Sequence, residues 1–174
     1  MAKLLVWDER VDGVVPWKKV TATCLVNDAH PITSIINWVA TKTMKYSGRE
    51  TLYIVGHGYP GWLQLGSGWI NEENVHLWGK LSGRLNHIFL MACSVANVAG
   101  VHWSDKESKW VPGGNGYALC SQLAGYTKAY VTAADAQQKY FKGIPGLLDA
   151  DMGSWEGNVY TWGPNGYVYS VGWE

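Results

Sequence analysis

Thr51-Leu52-Tyr53-Ile54-Val55-Gly56-His57-Gly58 and His87-Ile88-Phe89-Leu90-Met91-Ala92-Cys93-Ser94 decide how this chain is read. Each is an unbroken apolar run of strand length that gives way to small residues. Neither alternates with polar residues, as a strand wetted on one face would. Such runs fit strands buried on both faces of a parallel sheet. In these sheets the ligand crevice lies just beyond the carboxyl ends of the strands. If the two strands are parallel neighbours, His57 and Cys93 face one cleft. The residues between them hold a glycine-rich loop and a predicted helix, enough for one right-handed crossover.

The composition narrows the function classes around this pair. The chain has 174 residues, a formal net charge of zero and scattered charges. It reads as one domain over 1–174, with no electrostatic footprint for a nucleic-acid backbone or an anionic membrane. The apolar start, Leu4-Leu5-Val6-Trp7, is too short for a signal peptide, and no run has membrane-spanning length, so a cytoplasmic protein is expected. Three cysteines, Cys24, Cys93 and Cys120, have no CxxC spacing and leave an odd count. That argues against a disulfide scaffold and against a zinc knuckle, and no cofactor is expected. Eleven tryptophans and ten tyrosines accompany two phenylalanines, with no fixed period. They serve either as core packing or as a loop platform for carbohydrate or peptide, and core packing is the preferred reading.

Outward from the two stretches, residues 3–7 and 18–26 read as strands, with Asp12-Gly13 turning them into a hairpin. Pro31 suits a first helical position, and Ile32, Ile35, Ile36, Val39, Ala40 and Met44 recur at helical spacing up to Ser47-Gly48. Within the glycine-rich loop, residues 62–65 suggest a short strand. A helix is predicted over about 74–85, with Asn74 as cap and Leu77, Trp78, Leu81 and Leu85 on one side, weakened by Gly79 and Gly83. Residues 98–114 read as a long irregular insertion before a helix through Tyr117, Leu119 and Leu123. A strand over 128–132 leads into Ala133-Ala134-Asp135-Ala136. The tail, 158–162 and 167–173 around Gly163-Pro164-Asn165-Gly166, has the chemistry of a C-terminal β-hairpin.

This order of parts resembles the caspase-like fold of cysteine peptidases, the group of caspases, gingipains, clostripain, legumain, separase and the CHAT domains. The family pattern of one strand ending in His-Gly and the next in a small residue and Cys is matched by His57-Gly58 and Ala92-Cys93. The likeness to bacterial caspase-like domains runs through Gly61, Leu65-Gly66 and Cys93-Ser94-Val95-Ala96, then Leu119, Leu123-Ala124 and Val131-Thr132-Ala133-Ala134-Asp135. It covers roughly residues 50–140. The resemblance implies an α/β fold, a caspase-like three-layer sandwich whose mainly parallel central sheet carries helices on both faces. It departs from true caspases, whose Gln-Ala-Cys-x-Gly signature lies about fifty residues after the histidine. Here the chain reads Met91-Ala92-Cys93-Ser94-Val95.

What the family mechanism implies is a Cys93 thiolate attacking a scissile carbonyl, His57 as acid and base, and the N–H groups of Gly58 and Cys93 facing the oxyanion. Met91 stands where caspases and legumain carry a polar residue of the primary specificity pocket, so no preference for Asp or Asn follows. Asp135 follows the next predicted strand and would, as a pocket carboxylate, select Arg or Lys. Its plainer role, a solvated loop carboxylate, is favoured. Alone, Cys93 reads as a small buried hydrophobe and His57 as a strand cap, and their joint placement favours the dyad. A metal site from Cys24, Cys120 and His30 is disfavoured. The expected function is a cysteine endopeptidase acting on a protein or peptide, itself included. The alternatives are a silent binding or scaffold module on the same fold, and a thiol amidase or acyltransferase acting on a small molecule.

Overall fold

Right-handed crossovers between parallel strands explain most of the architecture. The structure is a computed structural model and describes residues 2–12, 20–45, 50–98, 101–104, 109–112, 114–138 and 155–172. The strands and helices in chain order are β1 (Lys3–Asp8), β2 (Ala22–Val26), α1 (Ile32–Lys45), β3 (Glu50–Val55), β4 (Gly58–Tyr59), β5 (Trp62–Leu65) and β6 (Gly68–Ile70). There follow a 3₁₀ helix η1 (Val75–Leu81), β7 (Leu85–Met91), β8 (Val101–Ser104), β9 (Lys109–Pro112), α2 (Gly116–Thr127), β10 (Tyr130–Ala134), β11 (Val159–Trp162) and β12 (Val168–Gly172). A seven-stranded sheet runs β12-β11-β10-β7-β3-β1-β2, and β4-β5-β6 and β8-β9 form two small antiparallel sheets.

From β2 through β10 all pairings in the main sheet are parallel, while β11 and β12 are antiparallel. The mixed α/β class, the mainly parallel sheet and the C-terminal hairpin are as expected. One expectation about the strands is corrected. The N-terminal strands do not form a hairpin: β1 and β2 are parallel, with Leu4 opposite Ala22 and Asp8 opposite Val26. Strands joined in parallel need a connection of about a dozen residues and not a tight turn, and Gly13 of the expected turn lies outside the described residues.

Helices on both faces are not found among the described residues. α1, η1 and α2 all pack on one face, in a core with Leu4, Val6, Leu52, Ile54, Ile88, Leu90, Val131 and Ala133. Handedness gives the reason. The connections β2→β3, β3→β7 and β7→β10 all advance in one direction across the sheet, so right-handed crossovers lay them on one face. Only β1→β2 runs the other way, and its Val11 and Val20 pack on the opposite face beside Leu5, Trp7, Tyr53, Val55 and Met91.

Local chemistry accounts for the helices. Ile35, Ile36, Val39 and Ala40 form the buried stripe of α1, and Lys42 and Lys45 sit in its last turn, where cations suit the helix dipole. The Asn115 side chain caps α2 by accepting from the Ala118 N–H at 3.0 Å. The predicted 74–85 helix is instead the short 3₁₀ segment η1. Asn74 makes no cap bond there; its side chain accepts from the Asn71 N–H and donates to the Trp69 carbonyl. Gly79 and Gly83 make a longer helix costly. The expected irregular insertion holds the β8-β9 hairpin, and residues 99–100, 105–108 and 113 of it lie outside the described residues, as do Ser47-Gly48.

Of the described tryptophans, Trp7, Trp78 and Trp162 are buried and Trp38, Trp62, Trp69 and Trp155 half-buried, which favours core packing. Among the described residues no helix is long and apolar enough to cross a membrane.

Candidate functional site

Three strand ends meet at one edge of the sheet. Trp7, Val55 and Met91 stand side by side in register at the ends of β1, β3 and β7. The chain direction reverses its order between β1 and β3, and that switch point is where open α/β sheets form their ligand crevice. His57 lies two residues beyond Val55, and Cys93 two beyond Met91. The sequence-derived pair is therefore carried by adjacent parallel strands.

Gly58 fixes how closely these ends approach. A Cβ at this position would overlap the Cys93 carbonyl oxygen and lie 2.9 Å from its amide nitrogen. Only a residue without a side chain lets the histidine strand rest on the cysteine turn. Gln64 N–H donates to the His57 carbonyl at 2.8 Å, and Gly58 is the next residue of that antiparallel ladder. Alternation then turns the Gly58 N–H away from β5. Gly58→Ala is expected to displace the 93–96 turn and destabilise the fold by about 1–3 kcal/mol. Denaturant unfolding tests this, and an unchanged midpoint would refute the close approach.

His57 is exposed, and its ring is oriented by the backbone. Nε2 lies 3.2 Å from the Arg10 carbonyl oxygen. A carbonyl only accepts, so Nε2 carries the proton, and Nδ1 is left as the basic nitrogen of the neutral ring. Cys93 is half-buried, with Sγ 3.6 Å from the Gln138 carbonyl oxygen. The thiol and the imidazole share no hydrogen bond with each other. After Cys93 the chain turns through Ser94, whose φ of 52° is the left-handed region that non-glycine residues seldom occupy. The turn is stitched to the end of β10: Ser94 N–H donates to the Ala136 carbonyl at 2.8 Å and Ala96 N–H to the Ala134 carbonyl at 3.1 Å.

The two proposed substrate residues lie in different settings. The Asp135 carboxylate accepts from Asn158 N–H and Asn158 Nδ2, each at 2.9 Å, and from the Tyr160 hydroxyl at 3.3 Å. Through these donors it tethers the start of β11. Met91 is 5 % exposed and lines a cavity of about 330 Å³ with Tyr53, His87, Phe89 and Trp155, on the face opposite α1, η1 and α2. Burial pushes the His87 imidazole down to about 4, so this cavity wall is neutral near pH 7. Tyr59, Trp62 and Trp69 form an aromatic cluster just beyond His57-Gly58, with centroids 5.4 Å (Tyr59–Trp69) and 6.2 Å (Trp62–Trp69) apart.

Asp8 and Arg10 were not singled out from the sequence. Asp8 ends the apolar run Leu4-Leu5-Val6-Trp7 at the same sheet edge as His57, and a carboxylate closing such a run was the available signal. Among the described residues no group of three or more His, Cys, Asp or Glu side chains is placed to hold a metal ion. No protein-family model, no curated protein and no solved structure matches this chain.

Proposed function

We propose that the chain is a caspase-like cysteine endopeptidase in which Cys93 is the nucleophile and His57 the acid and base. The observation that carries this reading is the packing of Gly58 onto Cys93 at the adjacent carboxyl ends of β3 and β7. In the proposed reaction the Cys93 thiol gives its proton through solvent to His57 Nδ1, the thiolate adds to the scissile carbonyl, and the oxyanion meets the N–H groups of Gly58 and Cys93. Collapse of the adduct expels the amine, which takes its proton from the His57 imidazolium, and leaves a thioester. Water, deprotonated by His57, then hydrolyses the thioester. The imidazole needs to reach the leaving nitrogen rather than the sulfur, so the lack of a direct thiol–imidazole bond is compatible with this sequence. The neutral cavity beside Met91 suits an uncharged apolar or aromatic substrate side chain better than Asp135 suits a basic one.

A second reading, a binding module on the same fold, is favoured by the Cys93 thiol being directed at Gln138 and not at His57. Thiol chemistry separates the two. Burial raises the pKa of the Cys24 thiol, with Lys42 opposing it, and raises that of fully buried Cys120 much further. Iodoacetamide is therefore expected to modify Cys93 first in the folded protein at neutral pH, and an acyloxymethyl ketone probe to map to Cys93 alone. Earlier modification of Cys24 or Cys120, with no adduct on Cys93, would leave the binding module as the surviving reading.

A further inference from the structure

Beside the candidate dyad lies an ion pair, buried at its carboxylate, that the reaction does not use. Asp8 is fully buried, and Arg10 grips it with both arms of the guanidinium, Nε at 2.7 Å and Nη2 at 2.6 Å. The same carboxylate accepts the Arg10 N–H at 3.1 Å and the Gly66 N–H at 3.0 Å. Arg10 Nη2 also donates to the Gly66 carbonyl at 2.6 Å. The β5–β6 turn is thereby closed onto the end of β1. Gly66 can serve here because its φ is +62° and a Cβ would overlap the His30 carbonyl oxygen.

We propose that the Asp8–Arg10 pair is a positioning device for His57: it immobilises the Arg10 backbone, whose carbonyl holds the imidazole by Nε2–H. Three observations converge on this. First, the pair fixes Arg10 at its side chain and at its own N–H, so the carbonyl on the same residue has little freedom left. Second, His57 is exposed, and its ring contact to the protein is the Arg10 carbonyl at 3.2 Å. Without that acceptor both ring orientations and both tautomers become accessible. Third, the Gly66 turn ends β5, whose Gln64 N–H holds the His57 carbonyl at 2.8 Å, so the pair also supports the histidine from its backbone side.

Energetics point the same way. An ion pair whose arginine is about a third exposed contributes little net stability, so its effect lies in geometry. Burial by itself would raise the Asp8 carboxyl pKa. The hydrogen bonds from Arg10 and Gly66 outweigh it and hold the group below the usual carboxylate range, so the pair stays ionised at neutral pH. The role is specific to the proposed dyad and rests on that reading. Asp8 and Arg10 side chains act through the Arg10 carbonyl and touch no reacting atom.

The test uses the full chain labelled with ¹⁵N-histidine. In the wild type, the neutral His57 ring is expected to show a protonated Nε2 with an observable, exchange-protected N–H signal. Asp8→Asn is expected to abolish that signal and average the two ring nitrogen shifts. In turnover of a peptide substrate it should lower kcat about tenfold with KM within about twofold, since ring placement and not substrate affinity is disturbed. Arg10→Lys keeps the charge but loses the fork, and should show the same loss; it carries the test if Asp8→Asn does not fold. A folded variant with the wild-type Nε2–H signal and shifts would overturn the positioning role. Failure of the peptidase reading would show separately, as a wild-type protein whose Cys93 takes no acyloxymethyl ketone adduct.

Discussion

On the proposed peptidase reading, Cys93→Ala is expected to abolish peptide turnover, by on the order of 10³-fold or more, because only what binding and the oxyanion donors supply would be left. The same substitution should leave the fold nearly intact. Among the described residues the half-buried thiol makes one long hydrogen bond, 3.6 Å to the Gln138 carbonyl, so its loss is worth less than about 1 kcal/mol. The pairing of a large kinetic loss with a small stability change is what separates a nucleophile from a packing residue. Turnover of a fluorogenic peptide and denaturant unfolding of the same preparation read the two quantities. Retained turnover would remove Cys93 from the chemistry. Lost turnover with a large drop in stability would make it a structural thiol instead.

The second large effect belongs to the core. Trp78 is fully buried on η1, a segment that packs against both α1 and α2, so one indole fills the space where three elements meet. Trp78→Ala should cost about 3–5 kcal/mol, the lost transfer energy plus the cavity left behind. That is a large share of the roughly 5–15 kcal/mol that holds a typical domain together. Trp78→Phe should cost clearly less. The indole Nε1–H is buried with no hydrogen-bond partner among the described residues, and phenylalanine removes that unsatisfied donor along with part of the ring. Urea unfolding of both variants is the check. An alanine variant within about 1 kcal/mol of the wild type would mean that η1 is not part of the cooperative core.

The sequence was most legible where burial left its own pattern. The apolar runs of β3 and β7 needed no partner to be recognised as interior parallel strands, although β7 is only half-buried at His87 and Phe89, and both candidate residues followed from where those runs stop. α1 was legible from Ile35, Ile36 and Val39, and the terminal hairpin from Gly163-Pro164-Asn165-Gly166. Direction was not legible. Nothing in residues 3–8 and 22–26 distinguishes a parallel from an antiparallel partner, since that depends on which strand later pairs with the other edge of β1. That α1, η1 and α2 share one face was hidden for the same reason: it follows from the order of strands in the sheet, which is a property of the whole chain. Asp135 was judged by its neighbours in sequence, whereas its hydrogen-bond partners, Asn158 and Tyr160, come from a distant segment. The Asp8–Arg10 pair had a local signal, but its value depends on the Gly66 turn and on His57.

The interior place of β1 has a consequence for how the chain reaches this state. Its pairing with β3 sets Lys3 opposite Thr51 and Trp7 opposite Val55, so a long loop must close before either strand gains a partner on that side. Contacts of such sequence separation slow folding, since chain entropy is lost well before the contacts compensate for it. β3 and β7 are likewise joined only across the intervening small sheet and η1. The apolar segment 4–7 therefore waits, with the ladder edge on its β3 side open, until residues 50–55 are in place. During that interval it is the part of the molecule most able to pair with a strand of another chain.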